Sequence, residues 1–437
     1  MDVKHTAPEA RRRIWTVCLL SLSYAVASMD RAIVPVAGAP IKHDLGLSDT
    51  EFGLLHGLSF VALYVLCGIP IGRLAGSIGP RRIIGCSLLS FSFMTIACGL
   101  AASAGSFFVA RFGVGLGEAG LVPASVTLIS MTMPRRWIGR SIAIFLTGST
   151  IGSVVALIGG GYLLTTLGAS FNSRFFGVAI ASWRVLFLFA GVQGFLFGLL
   201  ILSRKGPTPM PQPGEEPASF GAALRHLRQH ASGYGWITAA TACSLTLTQA
   251  VSAWMPMLYV RQYHLAPGDA ALKLGVMLLV AAPAGQFAGG IVLDRMRRSN
   301  QLAANNLLLT TCCLACIIPA WIFCTSNDLR ISELFYTLFS FVTFAATPAG
   351  MAGWQSLAPA RLRALIVAIL LAIVTLIGVG LGPLMVGVLT DRAFGDTHGL
   401  GYALITLISV SGICGAAAAW TGREAFTRAA RLSAALS

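Results

Sequence analysis

Apolar residues in this chain fall into twelve runs separated by short polar stretches. The runs lie at about 14–40, 50–74, 82–103, 106–132, 138–166 and 183–203, then 234–260, 272–294, 303–325, 331–356, 364–389 and 399–421. A helix rises about 1.5 Å per residue, so roughly 20 apolar residues cross a hydrocarbon core about 30 Å thick. The pattern predicts an all-α membrane protein with twelve transmembrane helices. One longer polar interruption, 204–232, opens with Lys205, Gly206 and Pro207 and carries further prolines through Pro217, as a linker does. The domains are expected at 1–203 and 233–437, with 204–232 as a cytoplasmic linker.

Most of the 31 Lys and Arg residues sit in alternate connectors. They include Lys4 and Arg11 to Arg13 in the N-terminal tail; Arg73, Arg81 and Arg82; Arg135, Arg136 and Arg140; and Arg204, Lys205, Arg225 and Arg228. In the second half they include Arg295, Arg297 and Arg298, then Arg361 and Arg363, and finally Arg423, Arg428 and Arg431. The positive-inside rule makes that side cytoplasmic, with both termini inside. Hydrophobic residues make up 56% of the 437 and charged residues 11%, well below the roughly 25% of a soluble domain. The net charge of +15 does not indicate nucleic acid, because no basic stripe interleaves with aromatics. The ten cysteines all fall in apolar runs, where a free Cys acts as a small hydrophobe. Cys312, Cys313 and Cys316 have no His or acid beside them to complete a zinc set. No cofactor, metal or cleavable signal is expected, and no phosphate-binding loop appears.

The two halves resemble each other. GRLAGSIGPRR from Gly72 to Arg82 follows the second run, and GIVLDRMRR from Gly290 to Arg298 follows the eighth. The Pro134 and Pro359 connectors repeat at a similar offset. A repeat of unchanged topology predicts two six-helix bundles related by an axis along the membrane normal. Ser48 and Glu51 form a capping box opening the second span. Gly148, Gly152 and Gly159 to Gly161 in the fifth span, with Gly378, Gly380, Gly382 and Gly387 in the eleventh, give small faces for close packing.

Asp30 in the first run, and Arg111 and Glu118 in the fourth, are charges set deep in apolar sequence. Ionisable residues at such depth are expensive and mark ion or substrate pathways. Arg111 and Glu118 are two turns apart on one helix face, with Gly113, Gly115 and Gly117 thinning the helix between them. Antiparallel spans bring Asp30 to a depth comparable with Arg111, which points to an ion pair. The three charges sum to minus one, so one proton makes them neutral. Glu118 is the less compensated acid and the better proton carrier, because burial penalises a carboxylate while Arg stays charged. A static salt bridge is the structural alternative, at a desolvation cost comparable with its gain.

Arg31 has two readings, contact with an anionic substrate head or snorkelling outward. His56 either titrates near neutrality or packs through a hydrogen bond. Tyr64, Gln249, Trp254, Gln286, Tyr336, Thr343 and Thr347 are further candidates for solute contact, individually weak. As a set they suggest a cavity charged on one side and apolar on the other, suited to an amphipathic solute with an anionic head.

At these residues the chain resembles the major facilitator superfamily, over nearly its whole length. The stretch from Gly72 to Arg82 is similar to that family's Gly-x-Leu-Ala-Asp-x-x-Gly-Arg-Arg signature, with Gly76 where the family has its gating Asp; the second copy keeps an acid, Asp294. The resemblance implies gating roles for Gly72, Arg73, Arg81, Arg82, Asp294, Arg295 and Arg298. More narrowly the chain resembles the Spinster-like branch, through Asp30-Arg31, the stretch from Asp44 to Gly57, the stretch from Arg111 to Gly120, and Trp183-Arg184. That branch includes lysolipid and sphingoid-phosphate transporters, and it implies proton-linked transport with Asp30, Arg111 and Glu118 as the coupling group.

The expected protein is a secondary transporter in a bacterial inner membrane, working as a monomer by alternating access. Its expected partners are protons, membrane lipids and a small anionic or amphipathic solute, lysolipid-like or an organic acid. The alternative within the fold is an uncoupled facilitator of a sugar or organic acid. A receptor would want a larger soluble output domain. A membrane enzyme would want paired His or acidic ligands near one face, which the seven scattered His residues do not supply.

Overall fold

A computed structural model describes residues 7–134, 137–167, 173–175, 178–203, 220–299, 301, 303–359, 361–395 and 399–435. Lys4, Arg135, Arg136, Arg204, Lys205 and the linker prolines through Pro217 lie outside the described residues, as do the side chains of Arg11, Arg12 and Arg73. The first half runs α1 (Ala7–Val36), α2 (Gly38–Leu45), α3 (Asp49–His56), α4 (Leu58–Ile78), α5 (Pro80–Gly99), α6 (Ala104–Glu118), α7 (Leu121–Thr132), α8 (Ile138–Leu167) and, after two short strands, α9 (Ser182–Leu202). The second half runs α10 (Phe220–Gln229), α11 (Ala231–Tyr263), α12 (Pro267–Arg298), α13 (Ala304–Ala315), α14 (Ile317–Thr325), α15 (Leu329–Leu357), α16 (Arg363–Thr375), α17 (Gly382–Leu389) and α18 (Gly399–Ala435).

Eleven helical stretches among the described residues are long and apolar enough to cross a membrane. The seventh predicted span is present as the 33-residue α11 but is not one of the eleven. Thr238, Thr241, Ser244, Thr246, Thr248 and Gln249 dilute its apolar character. Several spans are interrupted where the backbone has a local reason. The αL residue Gly46 (φ 63°) ends α2. The predicted capping box then opens α3: Glu51 N–H donates to Ser48 Oγ at 3.1 Å, and Ser48 N–H donates to the Glu51 carboxylate at 2.8 Å. Leu376–Leu381 and Thr390–Phe394 are π-helical, flanking α17.

Two features depart from the sequence expectation. Ser173–Phe175 and Val178–Ile180 pair as a small antiparallel hairpin before α9, which occupies the long connector ahead of the sixth span. Within the linker region, Phe220–Gln229 is helical and buries Ala223.

The chain forms two compact units. One comprises residues 1–47, 59–211 and 266–275; the other comprises 48–58, 212–265 and 276–437. In the first unit α1 and α8 lie in direct backbone contact, since a Cβ on Gly152 would strike the carbonyl of Ala25. Ser28 donates to Ser149 across the same seam at 2.9 Å. Arg184 at the start of α9 ties three segments together. It donates to the Asp44 carboxylate (3.0 Å) and to the carbonyls of Ala101 (2.6 Å) and Gly99 (3.3 Å), while Trp183 Nε1 also reaches Asp44 at 3.1 Å. In the second unit, Trp354 Nε1 donates to Thr238 Oγ1 at 3.1 Å and Asn306 Nδ2 to the Ala419 carbonyl at 2.9 Å.

Candidate functional site

Four charged side chains meet inside the first unit. Arg111 on α6 donates through Nη1 to Asp30 Oδ2 on α1 at 3.0 Å, with the two side chains 1% and 0% exposed. The second oxygen of Asp30 accepts from Thr95 Oγ1 on α5 at 2.8 Å. Each Asp30 oxygen therefore has a partner, one a cation and the other a hydroxyl.

Arg31, the next residue, turns inward rather than snorkelling. Its Nη2 donates to Ser28 Oγ at 3.0 Å, and its Nε lies 3.6 Å from Glu118 Oε2. The Arg31 guanidinium stands 5.7 Å from the ring centroids of both Tyr24 and Phe60. Arg111 reaches the same Phe60 ring at 5.5 Å. One aromatic face on α4 thus separates two guanidiniums and attracts both through its quadrupole. Tyr64, one turn on, stacks on Phe60 with centroids 5.5 Å apart.

Gly115 makes this arrangement possible. A Cβ there would strike the backbone carbonyl of Phe60, so α6 lies directly against α4 at that level. Arg111 and Glu118 are four residues before and three after Gly115, on the same helix face, and so flank Phe60 from above and below. Glu118 ends α6, just before the break at Ala119 and Gly120 that starts α7.

Arg31 extends the charge group expected from the sequence. With Arg31 included, the group holds two acids and two cations and is neutral, not minus one. The sequence left Arg31 between an anionic solute head and snorkelling; in the structure its side chain reaches Glu118. Exposure also separates the four. Arg31 keeps 27% of its side chain accessible, against 2% for Glu118. Glu118 Oε1 is buried with no hydrogen-bond partner, as is Arg111 Nε.

The remaining candidates are less concentrated. In the second unit Trp254 is buried, its Nε1 donating to the Pro383 carbonyl at 2.9 Å. Tyr336 packs edge-on against Phe323, and Thr343 Oγ1 returns its hydrogen bond to the Phe339 carbonyl at 3.0 Å. The polar atoms or rings of these three already have partners within the helices around them. His56 and Gln249 are half-buried, and Gln286 and Thr347 are exposed. Of the residues expected to gate, Gly72 packs on Pro123, Arg81 is half-buried, and Arg82, Asp294, Arg295 and Arg298 are exposed at helix ends. Phe60, Thr95 and Ser28 are site residues that sequence reasoning missed. The aromatic pair Phe60 and Tyr64, spaced one turn apart, was the one available signal.

Among the described residues no three His, Cys, Asp or Glu side chains gather as a metal site. The chain belongs to the Major Facilitator Superfamily, whose model matches residues 20–383, and it is a multi-pass membrane transporter of small solutes. It is similar to an MFS-type efflux pump of Mycolicibacterium smegmatis, 26% identical over 98% of this chain and 97% of that one. A probable L-galactonate transporter of Escherichia coli is 27% identical over 65% of this chain and 62% of its own length. In fold it resembles a bacterial homolog to the human lysosomal transporter Spinster, solved in an inward-facing and unoccupied conformation. The TM-score is 0.79, at 24% identity over 98% of both chains.

Proposed function

We propose that this transporter is proton-coupled and carries a small organic or amphipathic anion by alternating access. The moving parts are two six-helix bundles at 1–203 and 233–437 joined by 204–232, with both termini in the cytoplasm. The observation that carries the proposal is the contact between partly accessible Arg31 and buried Glu118, 3.6 Å apart.

Deprotonated Glu118 holds Arg31 and keeps the four-charge group neutral. A Coulomb attraction at that separation is of order 4 kcal/mol at an effective dielectric of about 20, so loss of one charge decides whether Arg31 stays. A proton delivered to the unpartnered Glu118 oxygen removes the attraction and leaves the group at plus one. An anionic solute head that engages Arg31 restores neutrality. Proton and anion therefore favour each other's binding, which is reciprocal linkage, and load together. Asp30, held by Arg111 and Thr95, fixes α1 against α6.

The efflux and sugar-acid carriers among the relatives support an organic solute. The fold likeness to a Spinster homolog supports keeping lysolipid-like anions in the candidate set. The test is uptake into vesicles across a panel of lysolipids, sphingoid phosphates, organic acids and sugars, with and without an imposed pH gradient. Gradient-driven accumulation of an anion is expected. Equilibration at a rate indifferent to the gradient would establish the uncoupled facilitator instead.

A further inference from the structure

A second charge group, unused by the coupling reading, sits at the first turn of α3. Asp49 receives both terminal nitrogens of Arg261 from the end of α11, Nη1 to Oδ2 at 2.8 Å and Nη2 to Oδ1 at 2.6 Å. Two parallel bonds in this fork geometry are stronger and more directional than a single contact. The carboxylate of Asp391, in the π-helical turn after α17, accepts from the backbone N–H groups of Thr50 (2.7 Å) and Asp49 (3.3 Å). It serves as an anion at the α3 N-terminus, supplied from another helix.

Packing continues the attachment along α3. A Cβ on Gly387 would strike the Asp49 carbonyl, and one on Gly53 would lie 2.9 Å from Leu384 Cα. Phe52 meets Trp254 edge-on at 5.1 Å. Residues 48–58 accordingly belong to the second unit, although the same span continues as α4 in the first. The junction is Gly57 (φ −91°, ψ −84°), where the helix is interrupted.

The corresponding place in the second half is built differently. The start of α12 belongs to the first unit and lies against α8, where a Cβ on Gly268 would be 2.5 Å from the Gly161 carbonyl. Its acid, Asp269, is exposed and takes a 3.4 Å hydrogen bond from Thr165. One copy of the repeat carries a buried, forked charge clasp and the other a weak hydroxyl contact.

We infer that Asp49, Arg261 and Asp391 are positioning residues that form a latch on the transport cycle. This rests on the alternating-access reading, in which 48–58 must part from α11 and α17 because it is covalently continuous with α4. Apolar faces can slide, whereas a forked ion pair is lost over a small displacement, so the latch makes the transition two-state. Water solvates both charges once they separate, which keeps opening within reach. The asymmetry places control on the α3 side.

The test is the rate at which a membrane-impermeant maleimide, added from outside, labels Leu384→Cys in the full chain in vesicles. The same protein without that cysteine is the blank, and neither solute nor pH gradient is present. Asp49→Asn and Arg261→Gln are each expected to raise the rate about tenfold or more, as for loss of one member of a buried pair. The double variant should exceed neither by much, and Thr165→Val should leave the rate unchanged. Asp391→Ala alters an exposed side chain and serves as the variant least able to disturb folding; it too should accelerate labelling. Unchanged labelling in Asp49→Asn and Asp391→Ala would overturn the latch. That result would leave proton coupling standing, because the assay involves no proton or solute movement.

Discussion

Arg31 and Glu118 face each other at 3.6 Å, one side chain 27% exposed and the other 2%. That pairing joins a titratable group shielded from water to a cation that a solute can reach. On the proposed mechanism, protonation at one atom and anion recognition at the other become a single event.

Arg31 is expected to set solute affinity. Arg31→Gln removes the charge-assisted contact to the anion and should raise KM about 10- to 100-fold, from roughly 1.5–3 kcal/mol for a hydrogen bond to a charged group. Arg31→Lys should fall between, because an ammonium keeps the charge but loses the planar fork and the aromatic stacking. Initial uptake rates against solute concentration check both.

The Asp30–Arg111 pair is expected to behave as a buried unit. Asp30→Asn strands the Arg111 charge in an apolar setting and should cost about 3–5 kcal/mol. Replacing both, Asp30→Leu with Arg111→Met, should recover much of the stability without recovering coupled transport. Thermal unfolding of the purified variants, beside uptake, distinguishes a structural from a coupling role: full transport in the double variant would make the pair structural only.

Much of this site was legible because a charge in an apolar run is conspicuous: Asp30, Arg111 and Glu118 stand out without any coordinates. Their partners do not. Thr95 and Phe60 carry no charge, and nothing in a linear pattern sets the rotation of α5 or α4 about its axis. Arg31 was visible, but its direction depended on Ser28, Tyr24 and Glu118 converging from two helices. The same holds for Asp49, which reads locally as a helix-start acid and acquires its meaning from Arg261 and Asp391, both remote in sequence. Among fold features, the capping box at Ser48 was readable because it is local. The helix at 220–229 and the hairpin before α9 were not, being short elements outside the predicted spans.

Gly115 is expected to tolerate no side chain. The atom in the way is the Phe60 backbone carbonyl, which cannot rotate aside, so Gly115→Ala should force α6 from α4 and lengthen the Arg31–Glu118 contact. Transport should fall by at least about tenfold, a typical effect of misplacing reacting groups. Gly105→Ala, with open space around its Cβ, is the control.

Docking of α10 is expected to weaken in acid. Partial burial, then the neighbouring His230, holds the His226 ring below the usual histidine range, while a backbone hydrogen bond involving Leu357 opposes this. Tyr234 Oη completes its surroundings at 3.3 Å. The released helix binds the proton more readily than the docked one, so the contribution is present above the ordinary value of 6.5 and declines as pH falls through and below it. Amide exchange over 220–229 at pH 7.5 and 5.5 should show faster exchange at the lower pH, after correction for intrinsic rates. His226→Phe should remove the difference.

Coupling itself is tested most directly by proton movement in proteoliposomes carrying an internal pH dye, with wild type and Glu118→Gln side by side. The account predicts that an anionic solute evokes proton flux in wild type and none in Glu118→Gln, which still binds the anion because Arg31 is free. Equal proton flux in both proteins, or wild-type uptake with no proton movement, would contradict it.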